Sequence, residues 1–352
     1  MAVSPYSSIN RWSHIYAKKH QSTLNDFLTV SPWEDYKVHS QLSRLTVRRI
    51  KDFQIGIIDD TMSHKPYAKK MDHLGFFRSG VSKEREKGHS IVTHGLHSRE
   101  VGFVPFDIQL YRKNDLSKND IACAMIERTK WHKTLPLYIV DSWYSGVRLL
   151  TKIKSVKSHY LTEIKSNRNV TINYKSRFVR EHAQHIKDNE FKIVIIKGSK
   201  YRFFQVNAFI KGLNSVNLVF SQKFDEKEEN WGEFYYLITD ILNLSGERVI
   251  ELFLVRGGIE GFHREAKQQL GMESYQLRKA RGIERYLFLV LLVYSLLMLL
   301  IQQHMRKTFE IKTLGGMCRH LKAECYTTML QNAKHSERGF LNDFCADLAY
   351  AF

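Results

Sequence analysis

Two short apolar runs that each end in acid constrain this chain more than any other feature. The first is Phe53-Gln54-Ile55-Gly56-Ile57-Ile58, followed by Asp59-Asp60-Thr61; the second is Leu135-Pro136-Leu137-Tyr138-Ile139-Val140, followed by Asp141-Ser142. Near-continuous apolar runs of this length read as central strands covered on both faces. Asn119 to Thr129, between them, carries a helical pattern, and strand, helix, strand in that order makes a parallel pair. Both acids then end strands that can be neighbours, which places Asp141 near Asp59 and Asp60. An Asp in that position can also cap the helix expected at Val147, and the two roles are compatible.

Two further strand candidates, Ser90 to Gly95 and Val101 to Tyr111, complete a three-stranded meander with the first run. The segment Lys65 to Lys87 holds seven basic and three acidic residues with Gly75 and Gly80, and is expected to be a flexible, positive loop beside the acidic pair.

Charge is unevenly spread. The 352-residue chain has a formal net charge of +18, yet residues 151 to 224 hold fifteen Lys/Arg against four Asp/Glu, a net +11 in about a fifth of the length. The pattern there is one of strands: His159 to Ile164, Lys192 to Ile196, Tyr201 to Ile210, Val216 to Phe220 and Phe234 to Asp240. A basic β-rich segment of this kind is expected to be an inserted subdomain that holds phosphates. The overall excess of base, with pI near 9.6, points to a polyanionic partner, DNA or RNA before a membrane surface.

Leu242 to Leu270 is expected to be one helix, capped near Ser245 and followed by Gly271. At 100° per residue, Phe253, Arg256, Glu260 and Lys267 fall within a stripe of roughly 60°. One face thus carries a carboxylate between two cations. An Arg four residues before a Glu is also an ordinary surface ion pair, worth a few tenths of a kcal/mol. Gly257 and Gly258 are unusual inside a helix, costing around 1 kcal/mol each against Ala; they mark its first turn or allow a DNA backbone to approach.

The remaining features narrow the class. With 43% hydrophobic and 12% aromatic residues the chain can bury a full core. Cys123, Cys318, Cys325 and Cys345 form no C-x-x-C pair, so neither a disulfide framework nor a zinc module is expected, and a reducing cytoplasm fits. Met1 to Asn10 lacks the charged and apolar regions of a signal peptide. Leu287 to Ile301 is short of the roughly 20 residues that span a bilayer and contains Tyr294 and Ser295, so a buried core helix is expected there rather than a membrane anchor. Ser31-Pro32-Trp33-Glu34 reads as a helix start, with Ser as N-cap and Pro at the first helical position. Residues 1 to 51 carry a net +5, which suits a helical region lying on DNA and equally a solvated face. The tail after Met305 is expected to be helical.

Acids in the order Asp, Asp, Glu, the last within Phe253-x2-Arg256-x3-Glu260-x6-Lys267, resemble the Tyr-x2-Arg-x3-Glu-x6-Lys signature of prokaryotic insertion-sequence DDE transposases. Asp60-Thr61, Asp141-Ser142 and Lys267-Gln268-Gln269-Leu270-Gly271 resemble further landmarks of that family. Phe253 stands where the family usually has Tyr, and Gly257 where a Trp commonly follows the Arg. The resemblance covers residues 10 to 300 and implies an α/β fold: a ribonuclease H-like core, a mixed sheet flanked by helices, interrupted by a β-strand insertion. On this reading 1–50 is a helical DNA-contacting region, 51–164 and 242–305 are the two parts of the core, 165–241 is the basic insertion, and 306–352 is a helical tail.

The resemblance further implies Asp60, Asp141 and Glu260 as catalytic acids and metal ligands, with Asp59 the alternative to Asp60. They would hold two Mg²⁺ or Mn²⁺ ions per site, as oxygen ligands favour. Arg256, Lys267, Arg264, Phe253, Lys65, Arg278 and Lys279 are the expected DNA contacts. The expected activity is cleavage of double-stranded DNA at transposon ends and transfer of the 3′-hydroxyl to a target strand, by a dimer in the synaptic complex, in the nucleoid-associated cytoplasm. Two other readings remain open: a ribonuclease H-like nuclease or resolvase that cuts without joining, and a transposase-derived DNA-binding protein that does not cut.

Overall fold

The structure, a computed structural model, describes residues 20–334 except Gly80, Val81, Lys83 and 308–310. The first nineteen residues of the expected N-terminal region and the tail from 335, with Cys345, lie outside the described residues. The chain divides into two compact units, one made of Ile50–Thr61 and Ser90–Gly261, the other of Met1–Arg49, Met62–His89 and Phe262–Phe352.

The first unit is built on a mixed sheet. Strand β1 (Ile55–His64) pairs in parallel with β5 (Leu137–Val140), with Ile55 opposite Leu137 and Ile58 opposite Val140. Strand β5 pairs in parallel with β6 (His159–Glu163), Val140 lying opposite Thr162. On the other side of β1 lies β3 (Arg85–Ser98), followed by β4 (Gly102–Leu110), which is antiparallel to β3. This is the meander followed by parallel strands that the sequence predicts, and the arrangement is that of a ribonuclease H-like core. Ile57, Ile58, Ile139 and Val140 have no measurable exposure, which accounts for the apolar runs.

The crossover from β1 to β5 is helix α3 (Lys118–Lys130), started by a full capping box between Ser117 and Asp120. Helix α4 (Val147–Ser155) returns the chain to β6 and buries Leu149, Leu150 and Ile153.

The strands between Asp141 and Glu260 extend this same sheet. From β6 the order continues through β12 (Asn230–Thr239), β11 (Asn214–Asp225) and β10 (Ser199–Ile210) to the hairpin β7 (Asn169–Ile172) and β8 (Lys175–Phe178), with β9 (Lys192–Ile196) on the edge of β10. All five strands read from the sequence in this region are present; β7 and β8, four residues each, are too short to leave a periodicity.

A buried amide cluster joins the last strand to the helical part. Asn217 donates to the carbonyls of Leu244 (2.7 Å) and Ile241 (3.3 Å), while Gln205 donates to Leu244 O and accepts from Gly246 N at 2.7 Å. Helix α6 (Gly246–Phe253) starts there with the expected Ser245 cap. A Cβ at Gly246 would lie 2.3 Å from the Phe203 ring, so only glycine permits this close docking on β10.

The expected single helix from Leu242 to Leu270 is in fact interrupted. After α6 the backbone tightens into a 3₁₀ turn, Leu254–Arg256, and resumes as α7 (Gly257–Leu270). Gly257 and Gly258 therefore form the first turn of a new helix, where their low helix propensity matters least. Gly258 is also required sterically, since a Cβ there would meet the Phe103 side chain at 2.9 Å, whereas Gly257 faces open space.

In the second unit, α1 (Gln21–Thr29) and α2 (Asp35–Arg49) pack on the long apolar helix α8 (Ala280–Lys307), as does α9 (Leu314–Lys334). Residues Ala280–Gln303 are long and apolar enough to cross a membrane, but 56% of that helix's most apolar window is buried in the protein. The segment Lys65 to Lys87 is more ordered than expected: it contains β2 (Gly75–Arg78), which pairs with the start of β3 through Phe76 opposite Lys87 and Phe77 opposite Glu86. The alternation is only four residues long and was masked by charge.

The helix expected to start at Ser31 starts at Asp35 instead, because Ser31 to Trp33 turn their carbonyls to a buried cation. Arg285, only 1% exposed, donates to the carbonyls of Ser31 (2.9 Å), Leu28 (3.3 Å), Phe27 (3.4 Å) and Trp33 (2.5 Å), and stacks 4.3 Å from the Trp33 ring. Arg285→Met, which keeps the chain length but removes the donors, is expected to cost about 2–4 kcal/mol, since it strands buried carbonyls. A thermal denaturation midpoint equal to that of the wild type would show that the linker does not depend on this residue.

Candidate active site

The site lies where the parallel pairing ends, at the carboxyl ends of β5 and β6 and midway along the longer β1, and the register brings three acids level. One residue beyond the last pairs, Ile58–Val140 and Val140–Thr162, come Asp59, Asp141 and Glu163. Because the three strands run parallel and in register, these side chains share one face of the sheet.

Asp59 is the most perturbed. Burial pushes its carboxyl up to about 7, the Asp141 charge beside it adds to the rise, and the Arg256 guanidinium opposes it. Asp141 is likewise raised, by burial first and by Asp60, with Arg256 opposing. Glu163 is raised by burial, with Arg256 lowering and Asp141 raising it. Its position was missed from sequence, although the rule that drew attention to Asp59 and Asp141, an acid ending a strand-like run, applies to it equally.

Arg256 ties the acids to the helical segment. Its Nη1 donates to Asp59 Oδ2 at 2.9 Å and its Nη2 to Glu260 Oε1 at 2.5 Å. The 3₁₀ turn sets this up: Arg256 ends the turn, Glu260 follows one helical turn later, and the guanidinium lies 5.8 Å from the Phe253 ring. Of the face read from the sequence, Phe253, Arg256 and Glu260 come together while Lys267 bonds elsewhere, and the Arg–Glu pair is both the ordinary i,i+4 ion pair and a link to a buried carboxylate.

The two adjacent acids of β1 point to opposite faces, as strand geometry requires. Asp60 has its own hydrogen-bond partners, Lys118 Nζ at 2.6 Å, Ser90 Oγ at 3.2 Å and the Tyr144 hydroxyl at 3.2 Å, and its charge still reaches Asp141. Arg256 pairs with Asp59, the alternative position, while the charges of both Asp59 and Asp60 act within the cluster, Asp60 raising Asp141. Sequence alone could not separate them, because the choice depends on which face of β1 the helical segment covers.

Asp141 also works as a cap. Its Oδ1 accepts from Trp143 N (3.0 Å) and Tyr144 N (3.2 Å), which fixes a 3₁₀ turn, Ser142–Tyr144, in place of the helix cap considered at Val147. Helix α4 instead begins at Val147, with Gly146 at its N-cap and no side-chain cap.

The other expected contact residues fall in the second unit. Lys267 donates to the Met62 carbonyl at 2.7 Å and pairs with Glu273 at 2.9 Å. Lys65 donates to the carbonyls of Glu273 and Tyr275, its ammonium 3.9 Å from the Tyr275 ring. Burial lowers that ammonium to about 8. Both lysines thus hold backbone. Arg264, Arg278 and Lys279 are exposed.

Oxygen donors gathered from separate elements are the chemistry that favours Mg²⁺ or Mn²⁺. As placed, no three His, Cys, Asp or Glu side chains among the described residues converge closely enough to hold an ion. The Asp59–Asp141 pair fits a divalent cation, which would relieve its repulsion, and Glu260 is ion-paired with Arg256.

The folded protein keeps the Asp59 proton to about pH 7, whereas an ordinary Asp releases it near 3.8. Metal-free stability should therefore fall as pH rises from 4 to 7 and stay low above that. Asp59→Asn is expected to flatten this dependence and to raise stability at pH 8 by about 1–3 kcal/mol. Denaturant titrations at several pH values in chelator check it; an unchanged slope in the variant would contradict the assignment.

Comparison with known proteins supplies the family. The family model described as "Transposase DDE domain" matches residues 50–296, a span from the start of β1 into the apolar helix α8. Among curated proteins, a "Probable transposase for insertion sequence element IS701" from Microchaete diplosiphon is 22% identical over 276 residues, covering 75% of this chain and 70% of that protein. The matched span takes in Asp59, Asp60, Asp141, Glu163, Arg256 and Glu260, and the chain belongs to the DDE transposase family.

Proposed function

We propose that this transposase cuts DNA at the ends of its mobile element and joins the freed 3′-hydroxyl to a target strand, with Asp59, Asp141 and Glu260 as the acidic set. The observation that carries the proposal is the buried pair Asp59–Asp141, joined through Arg256 to Glu260. Two carboxylates kept side by side at strand ends cost stability unless a cation sits between them in the working state.

Asp59 and Asp141 would hold Mg²⁺ or Mn²⁺, with Glu260 completing the set and Asp60 remaining in its network with Lys118 and Tyr144. Two bound ions supply the positive charge that activates a hydroxyl and stabilises the departing oxygen of a phosphodiester. Arg256 then has a second partner available: a guanidinium that leaves Glu260 presents its planar fork to a phosphate oxygen. Gly257 and Gly261, whose added Cβ atoms would meet nothing within 4 Å, leave the helix surface beside Glu260 low enough for a DNA backbone to approach. Glu163 completes the acidic row and would keep a second anion away from Asp141.

The basic strands at 165–241 supply sequence-independent attraction for duplex DNA, and Arg264, Arg278 and Lys279 are further phosphate contacts. A dimer pairing two element ends in the nucleoid-associated cytoplasm is the working form.

The test is incubation of supercoiled DNA bearing the element's two ends with wild type and Glu260→Gln in Mg²⁺. Wild type should nick at the ends and yield joined products, and the variant should lose roughly 100-fold or more of the nicking rate. Equal nicking by both proteins would sink the assignment of Glu260. Nicking without joined products would place the chain among ribonuclease H-like nucleases, and salt-sensitive binding without cutting in any metal would make it a DNA-binding derivative.

A further inference from the structure

Strand β9 leaves one edge of the sheet open. Among the described residues it pairs with β10 alone, in a register that sets Ile196 opposite Ser199, Val194 opposite Tyr201 and Lys192 opposite Phe203. Ile196 and Ser199 flank a two-residue turn, Lys197-Gly198, in which both residues have positive φ, 49° and 78°. In such a hairpin the flanking pair exchanges both backbone bonds, and every second pair after it does the same. The backbone groups of Ile193 and Ile195 therefore point to the open edge. Their side chains also stand in water, 58% and 74% exposed. An apolar edge of this kind is a template for another strand, and folded proteins usually blunt it.

Beside that edge is a cleft of about 460 Å³, lined by Ile195 and Ile196 and, across from them, by Ile55, Leu137, Leu252 and Val255. Ile55 and Leu137 open β1 and β5, so the cleft lies at the ends of these strands away from Asp59 and Asp141. Its charges are unbalanced. Asp52 is occupied by Ser98 Oγ at 2.6 Å and the Arg99 amide at 2.8 Å, and Glu251 by the Arg248 guanidinium at 2.6 Å. The exposed side chains of Arg99 and Lys197, also at the cleft, make no ion pair among the described residues.

These cations select the occupant. A second copy laying its own β9 antiparallel to this one would set the Lys192 of each near the Lys197 of the other, and like charges opposite one another destabilise a strand pair. A nucleic-acid backbone has the right charge, but it offers nothing to the apolar walls and no donor to the open carbonyls. An extended peptide with apolar and acidic side chains supplies ladder bonds for the edge, apolar groups for the cleft and carboxylates for Arg99 and Lys197.

We propose that the open edge of β9 and the cleft beside it form a docking site for an extended acidic and apolar segment of a partner protein, added to the sheet as a strand. The site is separate from the acid cluster and makes no use of the cleavage chemistry.

The experiment measures fluorescence anisotropy of a fluorescein-labelled ten-residue peptide of alternating Val and Glu on titration with the full chain. Wild type should bind it roughly tenfold or more tightly than the same peptide with Lys in place of Glu, the scale of one or two charge-assisted contacts. N-methylation of every second residue, which removes the donors of one peptide edge and keeps the side chains, should abolish binding when it falls on the edge that meets β9. Arg99→Gln combined with Lys197→Asn should weaken the Glu peptide roughly tenfold at an unchanged thermal midpoint. Ile195→Pro removes an outward N–H that β10 does not use, a substitution an edge strand accepts, and should abolish binding. Hydrogen exchange across 191–197 should slow when the Glu peptide is added.

No binding by wild type up to about 1 mM peptide, or equal binding of the N-methylated peptides, overturns the site without the help of any variant. Loss of binding in the charge variant together with indifference to N-methylation assigns the cations to an anion in general and also overturns strand addition. A concentration-dependent dimer of wild type that Ile195→Pro abolishes gives the edge to a second copy and overturns the partner reading. None of these outcomes touches Mg²⁺-dependent nicking, which tests the transposase reading by itself.

Discussion

The repulsion between Asp59 and Asp141 is the constraint around which the catalytic unit is organised. Parallel pairing of β1 with β5 sets the two carboxylates level at the strand ends, and burial pushes Asp59 to about 7. A folded chain tolerates this only with a cation at hand, and in the metal-free protein that cation is Arg256, 2.9 Å from Asp59. The position of Arg256 depends in turn on the 3₁₀ turn Leu254–Arg256 and on the close docking of α6. That docking needs Gly246 against Phe203, and the amides of Gln205 and Asn217 tie the linker down. The long strands between Asp141 and Glu260 are thus part of the scaffold that aims the last acid, besides carrying positive charge.

Arg256 has two roles that cannot both be filled at once. While it bridges Asp59 and Glu260, the acids do not gather tightly enough to hold an ion. Under the proposed function, release of Glu260 from the guanidinium would let it join the acidic set, and an incoming phosphate would compete for the fork. The open surface at Gly257 and Gly261 is where such a phosphate would have to come.

The second unit uses its basic side chains differently. Arg285, Lys65 and Lys267 each donate to backbone carbonyls. Arg285 and Lys65 fasten linkers that lack regular hydrogen bonding, Lys267 fastens strand β1 through Met62, and these three cations are correspondingly less available to a ligand.

The sequence by itself determined the parallel strand pair, the helix crossing between them, the family and the helical face that carries Arg256 and Glu260. Each of these depends on local patterns: apolar runs of strand length, a helical periodicity between them, and residues spaced one helical turn apart. It left Asp59 and Asp60 open and could not show their partners, Arg256 for Asp59 and Lys118 with Tyr144 for Asp60, because strand alternation puts neighbours on opposite faces and only packing brings those partners in. Nor could it single out Glu163, Tyr144 and Lys118, which reach the acids from elements brought together by sheet register and the crossover rather than by spacing. The start of α2 at Asp35 was hidden for the same reason: Ser31 through Glu34 has the local signature of a helix start, and a buried arginine more than 250 residues away in the chain claims its carbonyls instead. Tertiary structure decided those points because each turns on a long-range electrostatic partner, which no local pattern encodes.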